Sequence, residues 1–448
     1  MVALTRQRDA LVLVFAILLV ALGGCSESYV AGADGGVVVS SDLSTSSDGA
    51  YVPGPINPDR PKCPGQEATI KGTVYAPNGS DPVPGATVFI PSLVPELFPP
   101  EVRCEVCGQL GTAANFWQTN SAYDGTFELP DVCPGKRDLI FQNGRFRRFV
   151  TVDVVAKQTL ELTGAQTRLP KRHAESNAFD AIPKIAVATG DFDKMECVLR
   201  KLGLADDAFD MYEAVLTPNM VSPLNYPKFS ELVGNLDKLK SYNVVFINCT
   251  LNTFEAELAK EDVRKNIASY LEAGGRLYVT DWSYDWIEQL DSYAGLIDFE
   301  PGKSDAVPEG INAAQIGSDG LSVQATIKDS LMAQWLGLFP GAIANGKSTI
   351  SHTSASWVMM HDVNSDVKVW VEAEGSSSDG TITGMRPLTV TYNVNKCGKL
   401  LFTSYHTEGR EDDFFVPTFP DYCGENASPQ DRILEFLIFD IANCVKVI

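Results

Sequence analysis

The segment 242–286 constrains the fold more than any other part of this 448-residue chain. It contains an apolar run rich in β-branched and aromatic residues at 242–248, an amphipathic run at 254–273 and a second apolar run at 274–282. Short apolar runs on either side of a stretch with helical periodicity predict a β-α-β unit. Because such a unit buries both faces of its parallel sheet, the segment predicts an α/β layer fold with ligands beyond the carboxyl ends of the strands.

Polar residues directly follow both predicted strands of this unit. Asn248 and Cys249 end the first strand, and Asp281, Trp282 and Ser283 follow the second. The carboxyl ends of parallel strands lie at the same edge of a sheet, so these side chains are expected to line one crevice. We expect Asp281, Trp282, Asn248 and Cys249 to form its binding rim.

The length and the net charge of the chain limit the number of domains and the kinds of partner that it can have. A chain of this length predicts two domains and a tail. Its 57 acidic and 36 basic residues give a net charge of −21, which argues against a nucleic-acid-binding surface. A well-solvated acidic surface is favoured over an acidic recognition site.

Residues 1–25 have the pattern of an export signal. Arg6 and Arg8 precede an apolar core that is too short to span a bilayer, and Leu22-Gly-Gly-Cys25 closes the segment. The segment resembles the lipobox of bacterial lipoproteins, which implies cleavage before Cys25, a diacylglyceryl group on its sulfur and an acyl chain such as palmitate on the new amino group. The alternative is an ordinary secretory peptide in which Cys25 is incidental. Ser26 after the cysteine favours the outer membrane by family analogy.

The next segment, 26–64, is rich in Ser, Gly, Asp and Pro and has little to bury. It is expected to stay a flexible tether that holds the folded part off the membrane. The predicted location is therefore the outer membrane, with the protein anchored through Cys25 and facing the periplasm or the cell surface. No transmembrane span is expected elsewhere.

The segment 65–165 changes to short alternating runs separated by Gly and Pro turns, which predicts an antiparallel β-sandwich. Its motifs resemble the carboxypeptidase regulatory-like family, a transthyretin-type sandwich. The matching motifs are Ile70-x-Gly72-x-Val74, Pro82–Val88, Thr119 with Asp124–Phe127, and Pro134-Gly135. A long insertion at 91–118 departs from the family pattern, as does Asp138 in place of the usual Tyr. The resemblance implies a non-catalytic module for binding or spacing.

The ten cysteines offer several pairings. Cys63, Cys104, Cys107 and Cys133 would suffice for a zinc site, but only two of them form a C-x-x-C pair, and the exported location is oxidising. Two disulfides that pin the inserted loop are therefore favoured. The second half carries an odd five, so at least one of its thiols is free or pairs outside it. A Cys197–Cys249 bridge is plausible there, because the first helix of this half and the strand at 242–248 are expected to share one edge of the sheet.

A polar linker at 166–183 leads into the last predicted domain, 184–448. Alternating strand and helix patterns predict a doubly wound sheet with an antiparallel extension. Predicted strands are 184–189, 209–215, 242–248, 274–282, 356–360, 367–372, 387–392 and 399–405, and predicted helices are 194–202, 254–273, 329–338 and 429–443. Asp191 and Asp193 follow the first of these strands, where helix capping is favoured over cation binding.

Residues 184–448 resemble the class I glutamine amidotransferase-like superfamily, a flavodoxin-like α/β fold. The resemblance is carried by the strand at 242–248, the turn at Gly274-Gly275 and a late strand that ends in His406-Thr407-Glu408. Catalytic members pair a cysteine at a strand-to-helix elbow with such a histidine. The resemblance therefore implies that His406 would be the base and Glu408 the residue that orients it.

The expected nucleophile is missing from this pattern. The elbow position carries Thr280-Asp281-Trp282-Ser283, and Cys249 ends a strand that supplies the oxyanion loop in the superfamily. We therefore predict a cell-envelope protein that binds an unknown protein or carbohydrate ligand without catalysis and without a cofactor, metal or nucleic acid. The alternative is an envelope hydrolase that uses His406 and Glu408 with a non-Cys nucleophile such as Ser283 or Asp281. Less favoured is Cys249 as the nucleophile. A third hypothesis is a purely structural part of an envelope or motility complex.

Overall fold

A computed structural model describes residues 59–104, 115–214, 226–250, 252–301, 310–318, 321–352, 356–395, 397–407 and 419–442. All of them belong to one compact unit that spans Val39–Ile448. The predicted signal segment with Cys25, and the tether up to residue 58, lie outside the described residues. Within the described part, no helix is long and apolar enough to cross a membrane.

The first seven strands form two small sheets. They are β1 Ala68–Thr73, β2 Thr87–Ile90, β3 Trp117–Asn120, β4 Thr126–Val132, β5 Gly135–Asn143, β6 Phe146–Val154 and β7 Thr159–Glu161. One sheet has the order β4-β1-β7 and the other the order β3-β2-β5-β6. Alternate residues of both sheets point into a shared apolar core, in which the rings of Phe127 and Phe141 lie 5.7 Å apart. The predicted short strands are therefore present, but the first sheet is not wholly antiparallel as predicted, because β1 and β7 pair in parallel.

The second half is built on a nine-stranded sheet in the order β14-β13-β16-β17-β18-β11-β10-β8-β9. Its strands are β8 Ile185–Ala188, β9 Asp210–Tyr212, β10 Val244–Ile247, β11 Arg276–Thr280, β13 Leu321–Ile327, β14 Lys347–His352, β16 Lys368–Ser376, β17 Thr383–Val394 and β18 Gly398–Thr403. Two short strands, β12 Ile297–Asp298 and β15 Asp362–Val363, pair separately. The five neighbouring strands β9, β8, β10, β11 and β18 pair in parallel. Beyond β18 the sheet continues with antiparallel pairs through β17, β16, β13 and β14.

Helices cover both faces of the parallel part. The α-helices are α1 Gly164–Thr167, α2 Met195–Lys201, α3 Phe229–Val233, α4 Leu236–Lys240, α5 Glu255–Leu258, α6 Glu261–Glu272, α7 Asp285–Glu288, α8 Ser330–Leu336 and α9 Pro429–Ala442. Apolar residues of α2 and α9 share one core with Phe246 and Tyr278, whereas those of α3 and α6 share another with Val245 and Leu277. Successive strand residues thus enter opposite cores, as a sheet buried on both faces requires. The mixed, sheet-rich architecture is confirmed; the assignments to named families stay predictions.

Two predicted elements differ from the structure. The helix predicted at 254–273 is divided into α5 and α6, because Lys260 between them has extended backbone (φ −86°, ψ 117°). The strand predicted at 356–360 is wrong: this buried stretch makes only an isolated bridge between Val358 and Ile316. The physical reason is that the Val358 N–H donates to the Asp281 carboxylate, 2.6 Å away, rather than to a neighbouring strand.

The small sheets pack directly against the second half. The rings of Phe146 and Phe439 lie 5.5 Å apart, and the Trp335 indole N–H donates to the Pro82 carbonyl at 2.7 Å. The buried Asp81 carboxylate accepts from Arg432 of α9. These contacts join the two halves through one continuous apolar core.

The cysteine pairing corrects the sequence prediction in part. Disulfides are present, as predicted, but the sequence had not assigned these pairs: Cys63 pairs with Cys133, Cys104 with Cys397, and Cys197 with Cys423. The inserted loop is therefore bonded to the second half through Cys104, whereas Cys63 and Cys133, which pair with each other, both lie outside the loop. The suggested Cys197–Cys249 bridge is wrong, because Cys197 pairs with Cys423 and Cys249 is a buried thiol. Cys107 lies outside the described residues.

Candidate functional site

The carboxyl ends of β8, β10, β11 and β18 converge at one edge of the sheet. Three of them bring together Cys249 after β10, Asp281 after β11 and His406 after β18. One sulfur, one carboxylate oxygen and one imidazole nitrogen from these residues lie within 4.8 Å of one another, and all three side chains are buried. The edge predicted to hold chemistry is thus where the titratable groups meet.

Asp281 occupies the elbow between β11 and the 3₁₀ turn Asp281–Ser283. Its φ of +43° lies in the left-handed region, which costs free energy for a residue with a side chain and persists only where the surroundings enforce it. Both carboxylate oxygens are held: Oδ1 accepts from the Val358 N–H at 2.6 Å, and Oδ2 lies 2.8 Å from His406 Nε2. The carboxylate is fully buried. Contacts from two other parts of the fold therefore hold Asp281 in place at this elbow.

His406 pairs with Asp281 beneath an aromatic ring. The ring of Phe192, which follows β8 and is 42% exposed, stacks nearly parallel on the imidazole with a centroid distance of 6.2 Å. Burial lowers the pKa of His406, but the hydrogen bond and charge of Asp281, together with the charge of Asp193, outweigh it and raise the pKa above its ordinary value. The imidazole therefore keeps its proton to higher pH than a free histidine does.

Cys249 lies on the other side of the same carboxylate. Its Sγ is 3.6 Å from Asp281 Oδ2, and its backbone N–H donates to Thr280 Oγ1 at 2.8 Å. Burial and the negative charge of Asp281 raise the pKa of the thiol well above its ordinary value. Because the thiolate is the reactive form, this cysteine is a poor nucleophile in the folded protein.

The remaining residues predicted at the site have other contacts. Ser283 is buried, and its hydroxyl donates to the Asn248 carbonyl at 2.9 Å. Trp282 is half-buried, and its indole N–H points to the Ser356 carbonyl at 3.4 Å. Glu408 lies outside the described residues. The structure thus brings Asn248, Cys249, Asp281, Ser283 and His406 to one edge, with Asp281 rather than Ser283 next to the imidazole.

Two buried acids at this edge were not predicted as site residues. Asp193 Oδ1 accepts from the backbone N–H of Lys194 and from that of Thr407, at 2.8 and 3.0 Å, and so ties the loop after β8 to the loop after β18. The helix-capping role expected for Asp193 is wrong, because the cap of α2 receives no side-chain hydrogen bond. Among the described residues, Asp193 Oδ2 is buried without a hydrogen-bond partner. Its position in the loop after the parallel strand β8 was the signal that would have placed it here.

The second of these acids is Glu196, which lies in the first turn of α2. It accepts from Asn248 Nδ2 at 2.9 Å and from the Tyr422 hydroxyl. Burial raises the pKa of this carboxyl above its ordinary value, against the opposing effect of Lys194. Glu196 lies on a helix, so no strand-end rule pointed to it.

No family model and no curated protein matches this chain. Similar solved structures include a ThuA-like protein from Parabacteroides merdae, with 12% identity over 58% of this chain and 90% of that chain and a TM-score of 0.33. A β-galactosidase from Bacillus circulans sp. alkalophilus has 12% identity over 58% of this chain and 30% of that chain (TM-score 0.27). An exo-β-1,4-mannosidase from an Opitutaceae bacterium has 11% identity over 50% of this chain and 31% of that chain (TM-score 0.23). At these TM-scores, none of the similarities defines the fold or the activity of this chain.

Proposed function

We propose that this chain is a lipid-anchored protein of the cell envelope whose α/β half binds a ligand or a partner protein without catalysing a reaction on it. The observation that carries the proposal is the elbow: a buried Asp281, paired with His406, stands where a catalytic site of this design needs an accessible nucleophile. Because the Asp281 carboxylate is buried and bound to His406, the elbow residue presents no exposed atom that could attack a substrate.

The neighbouring hydroxyl and thiol support the same conclusion. Ser283 donates its hydroxyl hydrogen to a backbone carbonyl, and its side chain is 1% exposed. Cys249 is 0% exposed, and its pKa is raised. A nucleophile has to reach the substrate and be activated by a base, and neither residue meets both conditions.

Covalent labelling tests the absence of catalysis. The native protein is treated with a fluorophosphonate for serine and with iodoacetamide for thiols, and peptides are then examined by mass spectrometry. We expect Ser283 and Cys249 to stay unlabelled, and Cys249 to react fully once the protein is unfolded. Stoichiometric labelling of native Ser283 that disappears in His406→Gln would instead establish a hydrolase and overturn the proposal.

One observation favours that second candidate, an envelope hydrolase. The positive φ of Asp281 and its 2.8 Å contact with His406 are the backbone and pairing that a carboxylate nucleophile at an elbow would need. A panel of activated esters and glycosides separates the candidates. Turnover that is lost equally in Asp281→Asn and His406→Gln would favour the hydrolase, whereas we expect no turnover that depends on either residue.

The anchor is proposed from the sequence of residues 1–25 alone. Metabolic labelling with a fatty acid tests it, because lipidation at Cys25 requires that sulfur. We expect labelling of the wild type and none of Cys25→Ala, with Cys249→Ala labelled normally as the matched control. Equal labelling of wild type and Cys25→Ala would overturn the anchor without touching the binding proposal.

A further inference from the structure

Cys249, Asp281 and His406 bring three types of metal-ligand donor together in a buried site. They come from three different strand ends, and their potential ligand atoms lie within 4.8 Å of one another. We propose that this cluster is a zinc-binding site, with Cys249 Sγ, Asp281 Oδ2 and His406 Nε2 as protein ligands. The sequence predicted no metal, because these residues are far apart along the chain and match no ligand spacing.

The donor set selects the class of metal. Thiolate, imidazole and carboxylate together are ligands of Zn²⁺, whereas Mg²⁺ and Ca²⁺ prefer oxygen alone. Carboxylate and thiolate also supply negative charge that offsets the charge of the ion in a buried place. Zinc is therefore the ion that this cluster fits.

Two of the three distances between ligand atoms are close to those around a tetrahedral ion, and the third, between Cys249 Sγ and His406 Nε2, is at most 4.8 Å. Zinc bonds of about 2.0–2.3 Å place neighbouring ligand atoms about 3.3–3.6 Å apart. Cys249 Sγ and Asp281 Oδ2 are already 3.6 Å apart. His406 Nε2 and Asp281 Oδ2, at 2.8 Å, would have to separate by about half an ångström as zinc replaces the proton between them.

Surrounding hydrogen bonds already fix the ligands. The Val358 N–H holds Asp281 Oδ1 and so leaves Oδ2 directed at the cluster, and the Gln430 amide donates to the His406 carbonyl at 2.6 Å. Such outer contacts orient ligands and raise metal affinity.

A second observation points to a cation at this place. Asp193 Oδ2 is buried with no hydrogen-bond partner among the described residues, and its other oxygen accepts from the backbone N–H of Thr407, the residue after His406, at 3.0 Å. A buried carboxylate oxygen without a donor is unfavourable unless a positive charge lies near it. Asp193 is not one of the three residues whose ligand atoms lie within 4.8 Å of one another, so its charge would stabilise the ion from the next shell.

Metal binding by the full-length protein tests the proposal. After chelator treatment and dialysis, zinc uptake is measured by isothermal titration calorimetry and by elemental analysis. We expect one zinc per chain, with affinity lowered more than about 100-fold in Cys249→Ser, Asp281→Asn and His406→Gln, because even outer-shell changes cost about 10–100-fold. Asp193→Asn should lower the zinc affinity by at least the about 10–100-fold expected for an outer-shell change. His173→Gln, which changes a histidine outside the cluster, should bind zinc as the wild type does.

Cobalt substitution gives a readout that does not depend on whether variants fold. Co²⁺ bound to the wild type should show a thiolate-to-metal charge-transfer band and tetrahedral visible bands, and affinity should rise with pH because the thiol must lose its proton. Absence of zinc uptake by the wild type would overturn the proposal. Uptake without the thiolate band, or uptake retained in all three ligand variants, would overturn it as well. None of these three results affects the covalent labelling test of catalysis.

Discussion

His406 Nε2 lies 2.8 Å from Asp281 Oδ2 although 125 residues separate them along the chain. The contact exists because β11 and β18 are neighbouring parallel strands, with Thr280 opposite Thr403, so the residues after both strands leave the sheet at the same edge. The contact raises the pKa of His406 and keeps the Asp281 carboxylate buried at the elbow.

Replacing Asp281 by Asn should lower the pKa of His406. The carboxylate is the main reason that this pKa is raised, and an amide of the same shape removes its charge. The measurement is an NMR titration of the histidine ring protons in the presence of a chelator, with the His406→Gln spectrum to assign the signal. An unchanged pKa would show that Asp281 does not set it.

The same pair predicts a pH dependence of stability. A histidine whose folded pKa is raised stabilises the protein fully below its ordinary value of 6.5, and this contribution is lost as pH rises through the folded value. The difference in free energy of unfolding between wild type and Asp281→Asn should therefore shrink as pH rises above 6.5. Denaturant titrations of metal-free protein at several pH values measure it, and a difference that grows with pH would contradict the assignment.

Gly190→Ala should destabilise the candidate site. A Cβ on Gly190 would lie 2.4 Å from the Cys249 carbonyl oxygen and 2.6 Å from Asn248 Cβ, so the loops after β8 and β10 would have to separate. We expect a loss of about 1–3 kcal/mol in the free energy of unfolding, the usual cost of overpacking. Gly424→Ala is the matched control, because a Cβ there meets nothing within 4 Å. Equal effects at both positions would refute the steric argument.

Arg432→Met should weaken the contact between the two halves of the protein. Arg432 donates to Asp81 and to Glu435, the latter at 2.6 Å, and both carboxylates are buried. Removing the cation leaves Asp81 without its charged partner. We expect the free energy of unfolding to fall by about 3 kcal/mol, the lower end of the range found when one partner of a buried ion pair is removed. Thermal and denaturant unfolding measure it.

Glu435→Gln is the control for that change. Burial and the charge of Asp81 raise the pKa of Glu435 well above its ordinary value, so a neutral amide at this position is expected to cost less than loss of the Arg432 cation. We expect this variant to lose much less stability than Arg432→Met. A larger loss would mean that Glu435 is ionised in the folded protein.

The Cys104–Cys397 disulfide should stabilise the protein by about 2–5 kcal/mol, because it restricts the unfolded chain between residues 293 positions apart. Denaturant unfolding of Cys104→Ala, Cys397→Ala and the double variant measures this contribution. Either single change removes the same bond, so we expect the double variant to be no less stable than either single one. Additive losses would show that the two cysteines contribute separately.

The sequence alone determined the local elements of this protein. Short apolar runs placed β8, β10, β11 and β18 correctly, and the apolar periodicity placed α9, because both patterns are properties of neighbouring residues. The same reasoning placed Asn248, Cys249, Asp281 and His406 at strand ends.

Only the tertiary structure decided which of these residues meet. The pairing of Cys104 with Cys397, the contact of Asp281 with His406 and the position of Asp193 beside the loop after β18 all depend on strand order, which local patterns do not specify. The buried stretch at 356–360 has the composition of a strand, yet its Val358 N–H is used by Asp281. A buried donor takes the best acceptor that the whole fold brings within reach, and that choice is not written in the neighbouring sequence.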